Sequence, residues 1–159
     1  MNIFATFKCP RLSARFLDDK RVVKMVLESA QMMCAALHRH NAPAIPYKAT
    51  HVNHPCTLWA GQTNLNYLWL LEHFQELCSE YTRRYGKTHK CEQYIMYFLH
   101  QSQYVPKGFQ TPFANCARNK SLDLYFTNEE DVHTAYKLYL GERWKNDKRA
   151  PTWYGKDKI

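Results

Sequence analysis

Four groups of residues in this chain combine types and spacings that could do chemistry. Lys20, Lys24, Glu28 and Gln31 are separated by steps of 4, 4 and 3, which brings them onto one helix face with Arg21 beside them. A carboxylate set among cations keeps its charge, because neighbouring positive charge favours the ionised form. From there it can act as a general base or stabilise a developing oxocarbenium cation. His51, Asn53 and His54 lie in the run Tyr47 to Pro55, which leads to Trp59; imidazoles and an amide at a helix start sit where free N–H groups welcome an anion. Arg83, Arg84, Lys87 and Lys90 place four fixed positive charges within eight residues around Gly86, interleaved with Tyr85 and His89. Such a run suits phosphate contact, which positions a protein on nucleic acid without reading its sequence. Finally, Arg143-Trp144-Lys145 and the segment Lys148 to Lys156, with Trp153 and Tyr154, alternate cations with aromatic rings, a pattern suited to base stacking and backbone contact together.

Each group also has a plainer account. The first is compatible with a solvated helix face carrying a Lys24–Glu28 pair worth a few tenths of a kcal/mol. The histidines could cap a helix, the arginines could sit at a helix C-terminus favoured by its dipole, and the tryptophans could anchor the tail. The balance moves towards nucleic acid because the whole chain of 159 residues carries a formal charge of +8, and an excess of that size seeks an anionic partner. No Walker sequence, GxGxxG or nucleophile elbow is present, which leaves nucleotide-hydrolase and dinucleotide functions without local support. Six cysteines are scattered without a CxxC pair and read as reduced thiols. A zinc site would have to use His51, His54 and Cys56 with Cys91 or His89; that spacing matches no standard signature, so neither metal nor cofactor is expected.

These groups need helices to position them. Val22, Val23, Val26, Leu27, Ala30, Met33 and Leu37 recur at helical spacing and predict one long helix from Ser13 to about Arg39. A second helical region starts at Asn53-His54-Pro55, where proline suits a first turn. A stripe of Tyr67, Leu70, Leu71, Phe74, Leu77, Cys78 and Tyr81 marks a helix from about Asn64 to Tyr85, stopped by Gly86. A shorter helix is expected over Cys91 to Gln101, then a long loop from Ser102 to Phe126. Thr127-Asn128-Glu129-Glu130 reads as a capping box opening a last helix to about Trp144. The expectation is an all-α chain: a single compact helical domain over 1–159, four to five helices with long loops, and a basic aromatic tail. It is expected to be a monomer. With neither a signal peptide nor a membrane span it is placed in the cytoplasm, that of the host if phage-encoded.

Taken together the motifs resemble the pyrimidine-dimer DNA glycosylase family, the phage endonuclease V type, in a divergent phage branch. Leu17-Asp18-Asp19-Lys20-Arg21-Val22-Val23-Lys24 is similar to that family's first-helix motif. Asn53-His54-Pro55 with Trp59 resembles the segment before its second long helix, and Ala150 to Lys156 resembles its aromatic tail. The resemblance implies an endonuclease V-like helical fold that kinks double-stranded DNA and flips a nucleotide. It implies an amine nucleophile at the processed N-terminus that forms an imine, assisted by a first-helix glutamate. Initiator methionine is normally removed only before small residues, and position 2 is Asn, so the terminal amine here is that of Met1. The stretch collinear with the family glutamate reads Arg21-Val22-Val23, and the nearest helical carboxylate downstream is Glu28. Three functions are expected in turn. The first is a DNA glycosylase and lyase on a damaged or modified pyrimidine, with Lys20, Lys24 or the terminal amine as nucleophile and Glu28 as carboxylate. The second is a transferase that decorates thymine in phage DNA through a 5-hydroxymethyl intermediate, with His51, His54 and His89 around a small-molecule cosubstrate. The third is a non-catalytic nucleic-acid or nucleotide binder in phage counter-defence.

Overall fold

In the computed structural model, which describes residues 1–155, the chain is built on two long helices. The first helical stretch is broken: α1 spans Pro10–Phe16 and α2 spans Asp19–Arg39. Then come α3 (Pro55–Gln62) and α4 (Asn64–Tyr85), a 3₁₀ turn (Lys90–Tyr94), α5 (Ile95–Gln101) and a second 3₁₀ turn (Ser102–Tyr104). Two antiparallel two-residue strands, β1 (Arg118–Asn119) and β2 (Leu124–Tyr125), pair Arg118 with Tyr125 and Asn119 with Leu124 before α6 (Val132–Asn146). The core lies where α2, α3 and α4 meet α1, with Val22, Val26, Met33, Leu37, Tyr67, Leu70, Phe74 and Leu77 fully buried. These are mainly the residues of the two apolar stripes, as the 3.6 period requires. Pro10 and Pro55 both occupy a first helical turn, where the missing N–H costs nothing. Gly86 ends α4 in the left-handed conformation at φ 68°. No helix among the described residues is long and apolar enough to cross a membrane.

Three boundaries differ from the sequence expectation. The helix expected from Ser13 to Arg39 is interrupted at Leu17 and Asp18, both extended. The cause is tertiary. Leu17 O accepts from Arg84 Nη1, and Asp19 N donates to Thr152 O, so the backbone bonds of this turn go to α4 and the tail. The Thr127 capping box does not open the last helix. That role falls to Asp131, whose carboxylate accepts from His133 N and from the Thr134 hydroxyl. The helix expected over Cys91 to Gln101 divides into the 3₁₀ turn and α5, because the His89 ring caps the turn at Cys91 N.

Buried charges hold the start of α2. Arg84 is 2% exposed and bonds Glu80, Asp19 and the carbonyls of Leu17 and Arg15. Asp19 also accepts from the Thr152 hydroxyl and from Gly155 N. Gly155 is at φ 63°, and a Cβ there would meet Arg84 O at 2.1 Å, so only glycine lets the tail pass. Beside this group, Arg21 spans Asp18 and Asp147, while Trp144 Nε1 donates to Asp18.

Two stability predictions follow from this packing. Arg84→Ala leaves the Asp19 and Glu80 carboxylates buried without their partner. Urea unfolding is expected to show a loss of about 3–5 kcal/mol; a loss under 1 kcal/mol would remove the clamp from the account of the fold. The second concerns His73, fully buried on α4, whose Nδ1–H donates to Pro10 O and whose ring stacks on Trp69. Burial pushes its pKa down from 6.5 to about 4. The unfolded chain therefore binds a proton that the native chain refuses, and stability falls as pH drops from about 6.5 to about 4, by on the order of 3 kcal/mol in total. His73→Gln is expected to flatten that part of the pH–stability profile measured by denaturant titration.

Candidate functional site

The N-terminal segment reaches the site through a constrained turn. Asn2 Oδ1 accepts from the backbone N–H groups of both Ile3 and Phe4, and Asn2 Nδ2 donates to Cys116 O. Phe4 adopts φ 56°, an unfavourable region for a side chain with a Cβ. Its ring is held by stacking on Tyr139 and by an edge contact with Tyr136, both on α6. The turn delivers Met1 to a cavity of about 360 Å³, within the range of ligand-sized clefts. The Met1 side chain is buried, and its Sδ accepts from the Thr57 hydroxyl at 3.6 Å. The terminal amine lies 3.4 Å from Glu28 Oε1. Glu28 Oε2 is buried, makes no hydrogen bond and sits 3.9 Å from Lys24 Nζ.

The walls of this cavity come from α2 (Lys20, Arg21, Lys24, Glu28), the start of α3 (His54), the long loop and β1 (Cys116, Arg118, Asn119) and α6 (Tyr139, Arg143). Lys20 and Lys24 are mostly exposed. Arg21 is not free: it is 5% exposed and committed to Asp18 and Asp147. Burial opposes its charge, but these hydrogen bonds outweigh burial and raise its pKa. Arg143 donates from Nη1 to Tyr139 OH, and its buried Nε has no protein partner. His54 caps α3 with its own ring, Nδ1 accepting from Cys56 N at 3.1 Å. Burial first, then the positive terminal amine, lowers its pKa, so the ring stays neutral at pH 7. Cys116 accepts from the Cys56 thiol, which with the nearby charges of Arg118 and the amine pushes it down to about 7; Cys56 moves up.

Of the residues expected from sequence, Glu28, Lys24, Lys20, Arg21 and His54 converge on the cavity. Others do not line it. Gln31 is half-buried along α2. His51 and Asn53 are exposed: His51 bonds Thr50, and Asn53 Oδ1 accepts from Arg39. Two expected interface residues are corrected outright. Trp59 is 4% exposed, stacked on Phe113 and edge-on to Trp69, with its indole N–H bonded to Thr111 O. Arg84 is the buried clamp described above. Arg83, Lys87 and Lys90 are exposed, with Arg83 paired to Glu80; Tyr85 tilts against Tyr81, and His89 caps its 3₁₀ turn. None of this bend lines the cavity, although Arg84 ties it to the start of α2. Trp153 packs against Trp144 and donates to Phe16 O, so it anchors the tail, whereas Tyr154 is exposed. Lys156 lies outside the described residues. Sequence reasoning missed Arg118, Asn119, Cys116 and Tyr139. The long loop has no periodicity to flag Cys116, Arg118 and Asn119, where the adjoining cations of Arg118-Asn119-Lys120 were the available signal, while Tyr139 lies on the apolar side of α6 and reads there as core.

Around one cleft the chain gathers an amine, a carboxylate and several cations, of which Lys20 is paired with Asp147 and Lys24 with Glu28. The family model described as pyrimidine dimer DNA glycosylase matches residues 1–93. The match covers more than half of the chain, which belongs to the pyrimidine dimer DNA glycosylase family. No curated protein and no solved structure matches it. The matched region supplies Met1, Lys20, Lys24, Glu28 and His54; Cys116, Arg118, Tyr139 and Arg143 lie beyond it.

The free cations make a prediction about DNA. Arg118→Ala and Lys24→Ala are each expected to weaken binding by a similar factor on every duplex sequence. Each should also reduce the slope of log K against log salt by about 1. Fluorescence anisotropy across a salt series checks this, and an unchanged slope in both variants would take the cavity rim out of the DNA contact.

Proposed function

We propose that the protein is a DNA glycosylase with lyase activity, acting on a damaged or modified pyrimidine flipped out of duplex DNA, and that its nucleophile is the amine of Met1. The observation that carries this reading is the 3.4 Å approach of the terminal amine to Glu28 at the cavity. Lys20 and Lys24 are the weaker candidates. Both side chains are 67% exposed and point their charge into solvent, Lys20 beside Asp147 and Lys24 no nearer to Glu28 than 3.9 Å. The amine must be unprotonated to attack.

The chemistry divides as follows. Glu28 takes a proton from the ammonium, freeing the nitrogen lone pair. That nitrogen forms a bond to C1′ of the deoxyribose as the glycosidic C1′–N1 bond breaks, and the base leaves with the bonding electrons and gains a proton. The attached nitrogen gives up a proton to the departing base, and Glu28 returns its own proton to O4′ as the ring C1′–O4′ bond opens, so the resulting protonated imine faces the Glu28 carboxylate again. Loss of a proton from C2′ expels the 3′ phosphate, and water finally hydrolyses the imine to regenerate the amine. Lys20, Lys24 and Arg118 suit the flanking phosphates, and neutral His54 suits proton movement at the rim.

Borohydride reduction during reaction with abasic-site duplex should trap a covalent adduct, and digestion with mass analysis should place it on the Met1 amine. The intact mass of the purified protein should show Met1 retained. Glu28→Gln should cut the trapping rate by about 10²–10⁴, the usual contribution of a positioned acid or base. An adduct found only on lysine would remove Met1 from its role, and no adduct on any amine would overturn the proposal.

A further inference from the structure

The cavity wall carries two thiols that the amine chemistry does not use, and they stand beside His54. A ring nitrogen of His54, Cys56 Sγ and Cys116 Sγ all lie within 4.8 Å of one another. The two sulfurs come from positions 60 residues apart in the chain, one at the start of α3 and one in the long loop, and stand 3.8 Å apart. Two thiolates on one tetrahedral zinc ion, each at about 2.3 Å, are separated by roughly 3.8 Å. Cys56 is fully buried, while Cys116 and His54 border the cavity.

We infer that His54, Cys56 and Cys116 form a binding site for a divalent cation of the zinc class, with a fourth coordination position open to the cavity. Several features support this. The ligand set of two thiolates and one imidazole is that of borderline-soft metals and a poor one for magnesium or calcium. The His54 Nδ1 lone pair accepts from Cys56 N, so the ring is held at the start of α3 beside the two sulfurs. Two thiolates cancel the charge of the dication, so the cation surplus facing the substrate is preserved. Closing the widest edge of the triangle takes a shift on the order of 1 Å, well within what the half-buried loop position of Cys116 permits. The zinc combination considered from the sequence, and not expected there, was His51, His54 and Cys56 with Cys91 or His89; His54 and Cys56 recur here. The fold replaces the other three with Cys116, which no local pattern could pair with His54.

The site would tie the long loop to the start of α3 and so fix the wall that carries Arg118. Cobalt(II) reports on it directly, since thiolate ligation gives an intense near-ultraviolet charge-transfer band and tetrahedral geometry gives strong visible bands. Reduced, metal-stripped protein titrated with cobalt(II) should bind one equivalent with both signals, and zinc should displace it. Cys116→Ser, at a half-exposed position, should abolish the charge-transfer band of this site while circular dichroism stays unchanged; His54→Gln should weaken binding and distort the visible bands. Glu28→Gln, impaired in imine trapping, should bind cobalt as wild type does, so the cation site and the amine chemistry succeed or fail separately. Folded, reduced protein showing no thiolate-to-cobalt band at excess metal would overturn the inference, as would a band that persists in Cys116→Ser.

Discussion

Arg84 enters the interior from the last turn of α4 with its charge intact, and the geometry of the site depends on what it meets there. A buried guanidinium is tolerable only when its donors are matched. Here they are matched by Asp19 and Glu80, by the carbonyl of Arg15 in the last turn of α1 and by that of Leu17 in the α1–α2 connection. Satisfying them requires Leu17 and Asp18 to be extended, which breaks what would otherwise be one helix and sets where α2 begins. Once α2 starts at Asp19, its rotation is decided, and Lys20, Lys24 and Glu28 face the cavity. The same Asp19 receives the tail through Thr152 and Gly155, while neighbouring Asp18 receives Arg21 and Trp144. One polar cluster therefore fixes α2, α4, α6 and the tail relative to one another.

How much of this was legible in the sequence depends on whether the signal was local. The two apolar stripes placed α2 and α4, and Gly86 and Pro55 marked an end and a start, because period, propensity and cap agree there. Glu28 was found for the same reason: its partners on α2 are one and two turns away. The break at Leu17 was invisible, since its cause lies 67 residues downstream in Arg84. Arg84 itself illustrates the ambiguity of a cationic run. Arg83 and Arg84 are adjacent and identical in type, yet a turn of 100° sends one to solvent and the other into the core. Composition cannot separate them; only the stripe of α4 could have. Trp59 misled in the same way, because an aromatic ring beside a motif suits stacking on a base and stacking on Phe113 equally well.

The cavity joins two stretches of the chain, one inside the family match and one beyond it. The half supplied by residues 1–93 carries the amine, Glu28 and the α2 lysines; the other half, from the long loop and α6, carries Cys116, Arg118, Asn119, Tyr139 and Arg143. The family match covers the first half and ends before the second begins. An imine-forming enzyme asks little of the base beyond its leaving, whereas selectivity requires polar groups placed against it. The loop's lack of periodicity fits that division: a segment shaped by a ligand need not repeat.

Charge explains why the two halves must meet. Without Glu28, the α2 lysines, Arg118, Arg143 and the terminal amine would form an uncompensated positive cleft. Such a cleft binds phosphates well but disfavours any further positive charge, and an imine intermediate adds one. A single carboxylate, 14% exposed and hydrogen-bonded by no side chain, meets this need at one point without cancelling the field at the rim. Its value as an anion rises because water is largely excluded around it. On the proposed reading the rim would hold the DNA backbone and the floor would stabilise a cation, and the left-handed turn at Phe4 is the strain the chain accepts to bring its first amine to that floor.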